Sequence, residues 1–372
     1  MVRAGWAAVA AGVVVACGGG GGHGVGDAGG DGRHGGDGSA AACGSDADCA
    51  SESCNGEDTC DSASFIAYVD SATGANGAPC TQAQPCKTIG DGLATGQPIV
   101  VATGSFDECL LLQFAGFLSL KAGGSGATLT CSAGSPALSL AGHSAFVAGF
   151  TFTGTAAGSD QACVIDASRG GDELSMQRVT IAANAACAVR GLDDELSIDR
   201  STITDNHGGG VFETVGAIGA GGSLDITNSF IARNGSAGSL VGGIDYEEAG
   251  SPDFEPNVAF DTIVDNISSG GGAGLQCGAP VPFPDNIIAG NLANGSAGQV
   301  SGPCTTPASL VQADHAGLGF VNDASDYHLT AASTLAIDRG TAPTQLPVTA
   351  DVDGDPRPIG SASDIGADEL AP

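Results

Sequence analysis

The sequence predicts an all-β protein built as a solenoid of stacked parallel coils, and three observations carry that prediction. A strand–turn–strand phrase, "LSIDRSTITDN" at 196–206, recurs in near copies at 174–184 and 224–234 and more loosely at 258–266 and 286–291. Cysteines recur at about the same separation: Cys109 to Cys131 is 22 residues, Cys163 to Cys187 is 24 and Cys277 to Cys304 is 27. The composition, 62 Gly in 372 residues with short β-branched runs, means many tight turns and little helix.

Each copy of the phrase ends on asparagine: Asn184, Asn206, Asn234, Asn266 and Asn291, at steps of 22, 28, 32 and 25 residues. Three residues earlier stands isoleucine each time, at Ile181, Ile203, Ile231, Ile263 and Ile288. A fixed local pattern with insertions of variable length marks a solenoid whose loops leave one face. No single unit folds alone, and stacking buries one continuous apolar column. Asn tolerates a left-handed bend between two strands, and stacked amides hydrogen-bond from coil to coil, so the five form a structural ladder. Asp205, Arg233 and Asp265 precede three anchors and are expected to stack as alternating charges, each contact contributing about 0.2–1 kcal/mol. Less regular coils are expected at 117–124 and 146–154.

Neighbouring coils lie about 4.8 Å apart, and a disulfide needs Cα atoms about 4.4–6.8 Å apart. Cys109–Cys131, Cys163–Cys187 and Cys277–Cys304 are therefore expected to staple adjacent coils, while Cys80–Cys86 closes a Gly/Pro loop. Upstream, Cys43, Cys49, Cys54 and Cys60 are spaced C-x5-C-x4-C-x5-C. A segment that short cannot bury a core, so these four pair among themselves in one of three connectivities that the sequence leaves open.

In order along the chain, residues 1–16 carry one Arg and an apolar run from Ala7 to Ala16, too short for a mature membrane span and laid out as a secretory signal. Val14-Val15-Ala16-Cys17 resembles a bacterial lipobox. That resemblance implies lipidation of Cys17, membrane attachment through the lipid anchor, and, with Gly18 rather than Asp next, an outer-membrane lipoprotein of Gram-negative type, facing the periplasm or the cell surface. Removing Cys17 from 13 cysteines leaves an even 12, as an exported disulfide framework requires. Residues 17–42 hold the lipidated Cys and a Gly-rich linker spanning about 25–30 Å as a flexible coil. The Cys-rich knot occupies 43–64, the coils 65–310, and a closing segment 311–372.

From residue 65, "FIAYVDSATGANGAPCTQAQPCKTIGDGLATG" reads as a strand, a loop and a short helical phrase with Ile89 and Leu93 on one face, followed by the strand "PIVVATGSFDECLLL". This order resembles the opening of right-handed parallel β-helix proteins of the pectate-lyase-like superfamily, in which a short amphipathic helix caps the stack. At the other end, Tyr327/Leu329, Ala336-Ile337-Asp338/Gly340, Asp351/Asp353/Gly354/Arg357 and Asp364-Ile365-Gly366-Ala367/Glu369 resemble the choice-of-anchor Q segment that follows many bacterial β-helices. Ser333-Thr334-Leu335 departs from that pattern, which usually has Ser-Pro. This resemblance implies a capping architecture and surface placement, and no reaction.

Asp351, Asp353 and Asp355 alternate on a tight Gly turn. They read either as a candidate Ca²⁺ site or as a turn whose carboxylates cap backbone N–H groups while Arg357 pairs with Asp364 or Glu369; no other cofactor is indicated. A formal charge of −31 excludes nucleic acid as a partner by repulsion. No feature asks for more than a monomer.

No catalytic residues are assigned. Arg178 and Arg200 occupy equivalent stack positions and read as solvated surface, and the "DNHGGG" phrase at 205–210 has low specificity in so Gly-rich a chain. The sequence therefore reads first as a non-catalytic, lipid-anchored surface β-helix displaying loops for adhesion or for an extracellular glycan or surface partner. The alternative is a polysaccharide lyase, Ca²⁺-dependent, or a glycoside hydrolase acting on acidic polysaccharide. Its site would lie on the insertions 207–223 and 235–257, in a groove gathering Arg233, Asp245, Tyr246 and Glu247.

Overall fold

The computed structural model describes residues 49–51, 53–54, 59–113, 117–156, 163–168, 173–191, 195–208, 217–247, 256–341 and 348–371. Residues 1–16, expected to be a signal segment, Cys17, the Gly-rich stretch to residue 42 and Cys43 lie outside them. The chain divides into two compact units, Met1–Asp61 and Ser62–Pro372. In the small unit Cys49 and Cys60 are bridged, with Cα atoms 5.4 Å apart, and Cys54 is also disulfide-bonded. The Asp61 N–H donates to the Ser53 carbonyl and the Ser53 hydroxyl to the Asp61 carboxylate.

The large unit is a parallel β-helix with three sheets running along it. The first contains Ser144–Ala148, Glu173–Gln177, Glu195–Asp199, Ser223–Thr227 and Asn257–Ala259. The second runs from Phe150–Thr153 through Thr180–Ala182, Thr202–Thr204, Phe230–Ala232, Thr262–Val264 and Ile287–Ala289 to Leu310–Gln312. The third has eight strands, from Leu110–Leu112 to Val300–Ser301. The strand Phe117–Thr130 belongs to two sheets: Phe117–Lys121 pairs with Ser144–Ala148, and Ala127–Leu129 with Phe150–Phe152.

Like residues stack in register. Leu129, Phe152, Ile181, Ile203, Ile231, Ile263, Ile288 and Val311 form one column. On the third sheet Ile165, Val189, Ile218, Ile244, Leu275 and Val300 form another. Except for Val311, which is exposed at the end of the stack, they make the interior together with Leu174, Leu196 and Leu224 of the first sheet. The helix Ile89–Ala94 packs on the first two strands of the stack. Thr88 caps it by accepting the Asp91 N–H, and Glu108 accepts the Ile89 and Gly90 N–H groups at 2.8 and 2.9 Å. A Cβ at Gly92 would lie 2.7 Å from the Val69 side chain, so only glycine lets the helix lie this close.

The bridges Cys80–Cys86, Cys109–Cys131, Cys163–Cys187 and Cys277–Cys304 are all formed, with Cα separations of 4.6, 5.1, 4.4 and 5.4 Å. The last three join neighbouring coils.

The five asparagines form a continuous buried ladder. Nδ2 of Asn184, Asn206, Asn234 and Asn266 donates to Oδ1 of the next Asn at 2.8, 2.9, 3.1 and 3.0 Å. The series ends where Asn291 donates to Oε1 of Gln299 at 2.8 Å. Three of these amide oxygens also accept the backbone N–H of the preceding anchor: Asn234 from Asn206 at 3.2 Å, Asn266 from Asn234 at 2.9 Å and Asn291 from Asn266 at 3.0 Å. The left-handed bend sits one residue earlier than the sequence suggested, at Ala183, Asp205, Arg233, Asp265 and Gly290, with φ between 55° and 68°. The asparagine follows the bend, and the N–H exposed there is accepted by the asparagine of the next coil.

A second ladder, unforeseen from sequence, lines the corner between the first and second sheets. Val179 N–H donates to the Ser201 hydroxyl, Ser201 N–H to Ser229, Ser229 N–H to Asp261, Asp261 N–H to Asn286 and Asn286 N–H to Ser309, at 2.7–3.1 Å. Here too the left-handed residue comes just before, at Arg178, Arg200, Asn228, Phe260, Asp285 and Ala308. Asp261 is fully buried and its Oδ2 has no hydrogen-bond partner among the described residues. Burial raises its carboxyl well above the usual range, against the opposing Ser229 N–H.

The described residues 313–341 and 348–371 lie along the outer face of the second sheet and not across the end of the stack: Leu318, Phe320, Tyr327, Leu329, Ala336, Ile365 and Ala367 pack on Phe230, Ala232, Val264, Ile287 and Ala289. The coils end at Leu310–Gln312, so the boundary expected at 310/311 falls inside the last strand.

Asn234→Ala removes an acceptor from the Asn206 N–H and a donor from the Ile203 carbonyl, and is expected to cost about 2–4 kcal/mol in urea unfolding. Asp261→Asn should do the opposite. Its neighbour Asn286 fits the same corner, with Nδ2 on the Val258 carbonyl at 2.9 Å. Because the folded-state pKa of Asp261 is raised, folded protein holds that proton more tightly than the unfolded chain. The associated destabilisation therefore grows as pH rises above about 4. The variant's urea midpoint should exceed wild type at pH 7.5, with the gap closing as pH approaches 4; a lower midpoint at pH 7.5 would refute the assignment.

Candidate functional site

The outer face of the second sheet changes character along the stack. Thr151, Thr153, Thr180, Thr202 and Thr204 point outward from the earlier coils and are half-buried. Phe230, Ala232, Val264, Ile287 and Ala289 take those positions in the later coils and are buried under the C-terminal segment. Where the cover stops, a groove of about 500 Å³ opens. Thr180, Thr202, Thr204, Phe230 and Ala232 form its floor, Arg178 and Arg200 one rim, and Arg233, the hairpin residues 325–328 and Val352-Asp353 the other walls.

Arg233 joins the cover to the coils. Its Nε and one terminal nitrogen donate to both oxygens of Asp205 at 2.9 and 2.8 Å, and the other donates to the Tyr327 hydroxyl at 3.1 Å and the Ala324 carbonyl. The Tyr327 hydroxyl donates to Asp265 at 2.8 Å, and His315 Nε2 lies 3.1 Å from the other Asp265 oxygen. The expected charge stack is thus only half direct: Arg233 pairs with Asp205, while Tyr327 is interposed towards Asp265. Arg233 holds the Asp205 carboxyl below its ordinary range; burial pushes the Tyr327 phenol up; Asp265 raises His315.

Arg178 and Arg200 stand one coil apart at left-handed corner residues, with φ of 53° and 48°. Arg200 pairs with Asp199 at 2.8 Å. Arg178 is exposed, and its guanidinium has no hydrogen-bond or ion-pair partner among the described residues. Three of the chain's 11 basic residues therefore border one groove in a molecule of formal charge −31. The opposite wall is ionic. His328 faces Asp326 through Nδ1 and Asp353 through Nε2, the latter at 3.2 Å. Burial lowers the His328 pKa, but Asp326, Asp368 and Asp353 together raise it above its ordinary value. Asp368, buried beside them, is pushed up to about 6 by burial.

The Asp351, Asp353 and Asp355 carboxylates do not gather round one point. Asp351 is fully buried beneath the turn; its Oδ1 accepts the N–H groups of Asp353, Gly354 and Asp355 at 2.8–3.0 Å, and Oδ2 accepts that of Glu369. It acts as a turn cap, and the ligand atoms that do converge belong to His328, Asp353 and Asp368. Arg357 donates to the Asp364 and Gly366 carbonyls, lies 3.5 Å from Glu369 and stacks on Phe260. The groove expected from Arg233, Asp245, Tyr246 and Glu247 does not form. Asp245 and Tyr246 are buried in the third-sheet strand Ile244–Tyr246, away from Arg233 on the second sheet. Residues 209–216 and 248–255 of the two insertions lie outside the described residues, and the His207 ring contacts the Gly235 carbonyl.

No protein-family model matches the chain, and no curated protein matches it. Among solved structures, that of pectate lyase Pel9A is similar at 15 % identity, covering 82 % of this chain and 96 % of that one, with a TM-score of 0.39. At that level the likeness carries no argument about activity; the fold rests on the strand pairing itself.

Tyr327→Phe deletes the hydrogen bonds to Arg233 and Asp265 and keeps the ring against Phe320. A stability loss of about 1–2 kcal/mol is expected in urea unfolding, with faster amide exchange in the hairpin 320–329 than in the coils.

Proposed function

We propose that this protein is a non-catalytic, lipid-anchored β-helix of the cell envelope that holds the acidic groups of an extracellular glycan in the groove beside Arg178, Arg200 and Arg233. The observation that carries this reading is the concentration of scarce arginines at one groove of an acidic chain. Guanidinium groups bind carboxylates and sulfates through paired, charge-assisted hydrogen bonds, and Arg178 is exposed with its donors uncommitted. The threonine floor offers hydroxyls at coil spacing along an extended chain.

The same groups argue for holding rather than turnover. A general base must be able to release its proton near the working pH. Guanidinium groups do not, burial raises the Tyr327 phenol and its proton goes to Asp265, and both ring nitrogens of His328 face carboxylates. The disulfides support an oxidising compartment outside the cytoplasm, and the lipobox-like Cys17 supports attachment to the outer membrane.

Affinity electrophoresis of the full chain through polygalacturonate, alginate and neutral dextran tests the reading. Retardation is expected in the acidic gels alone, and Arg178→Ala with Arg200→Ala should weaken it at least about tenfold, the scale of one lost charge-assisted contact. Equal mobility in all three gels sinks the proposal. Unsaturated sugars accumulating with the acidic polymers would replace it with the lyase alternative.

A further inference from the structure

We propose that His328, Asp353 and Asp368 form a site for one divalent cation of the zinc type, which fastens the C-terminal segment together where it crosses the coils. The three residues come from separate stretches: the hairpin strand Asp326–Leu329, the turn at Gly354 and the chain end. One ligand atom from each lies within 4.8 Å of the others. His328 Nε2 and Asp353 Oδ2 are 3.2 Å apart, close to the roughly 3.4 Å between two ligands that each stand about 2.1 Å from a tetrahedral zinc ion.

Two further features point the same way. Asp368 is only 7 % exposed. One of its oxygens accepts the Leu329 N–H at 2.6 Å, and the other has no hydrogen-bond partner among the described residues. A nine-tenths buried carboxylate with an uncommitted oxygen beside an imidazole and a second carboxylate offers a donor set suited to a cation. The ring is also fixed from outside. Asp326 holds Nδ1, the place an orienting carboxylate takes behind a metal-bound histidine, and Phe230 meets the imidazole edge to face with centroids 4.9 Å apart.

Charge and donor type select the ion. Asp326, Asp353 and Asp368 surround one imidazole, so even an imidazolium leaves an excess of negative charge in a half-buried place, which a divalent cation neutralises. One nitrogen and two oxygens suit zinc, whereas Ca²⁺ and Mg²⁺ take shells of oxygen alone. The site differs from the Asp351–Asp353–Asp355 turn, because Asp351 spends its oxygens on backbone N–H groups. It does not rest on the glycan reading, since a cation here acts on the cover whether or not the groove takes a ligand.

The test uses the full chain stripped with chelator and titrated with ZnCl₂ by calorimetry, with thermal unfolding followed in parallel. Wild type is expected to take up one Zn²⁺ at this site and to show a higher Tm with zinc. Asp353→Asn, at a side chain 61 % exposed and so compatible with folding, should lose that uptake and the Tm shift. Asp355→Asn, on the same turn, should keep both. Asp326→Asn should weaken zinc by about 10–100-fold, the usual effect of removing an orienting partner. His23 and His34 also offer imidazoles, so an isotherm and Tm shift unchanged in Asp353→Asn overturn the assignment, as does a wild-type Tm that zinc does not move. An equal shift with CaCl₂ overturns the choice of ion.

Discussion

Two corners of each regular coil turn the chain through a left-handed residue and leave the next backbone N–H inside the coil, away from water. An orphaned N–H there costs about 1–3 kcal/mol, and the penalty repeats at both of these corners from coil to coil. The molecule answers with a side-chain oxygen from the following coil. At one corner the acceptor is the amide of Asn184, Asn234, Asn266 or Asn291; at another it is Ser201, Ser229, Asp261, Asn286 or Ser309. The interior columns of Ile and Leu supply the apolar burial, but the corners decide register. A coil slipped by one residue could set Asp205, Arg233 or Asp265 where an amide is required.

This division explains what was legible in the sequence. The asparagine corner could be read because one residue type fills it five times at a fixed offset from isoleucine. The serine corner could not, because Ser, Asp and Asn share it and have only a well-placed acceptor oxygen in common. Gln299 closes the asparagine ladder from eight residues downstream of Asn291, a role no periodicity displays. The one-coil disulfides were legible since strand spacing and disulfide reach are both fixed by covalent geometry. The left-handed positions fall one residue before the asparagines that the sequence points to, since asparagine is the usual occupant of such bends and here Ala183, Arg233 and Asp265 take them instead.

The lateral course of the C-terminal segment left a trace that periodicity alone does not interpret. "TIA" and "TIT" at 180–182 and 202–204 alternate as half-exposed strands should, while "FIA", "TIV" and "IIA" at 230–232, 262–264 and 287–289 carry larger apolar side chains on the outward face. Loss of alternation means burial on both faces, and hence a cover. The groove followed from neither signal. Its walls come from residues 178–233 and 325–353, and only the cover brings the two together. Arg178 and Arg200 looked like ordinary solvated surface because the wall facing them is more than a hundred residues away in sequence.

Sparse positive charge in an acidic protein also has a structural logic. Arg233 and Arg357 both sit at the seam between coils and cover, the first held by Asp205 and Tyr327, the second by backbone carbonyls, Glu369 and the face of Phe260. Lysine could not make the same planar, several-pronged contacts, so the seam uses arginine for geometry as much as for charge. Around these two points the carboxylates that face the seam, Asp338, Asp351, Asp364 and Glu369, serve mainly as acceptors for backbone N–H groups. The cover is thus held by the same device as the corners of the coils, side-chain oxygens answering buried N–H groups, with carboxylates in place of amides. A carboxylate in that role needs nearby donors or a cation once it leaves water. The acidity of this chain is therefore tolerable at the seam only where arginine or a dense set of N–H groups stands close.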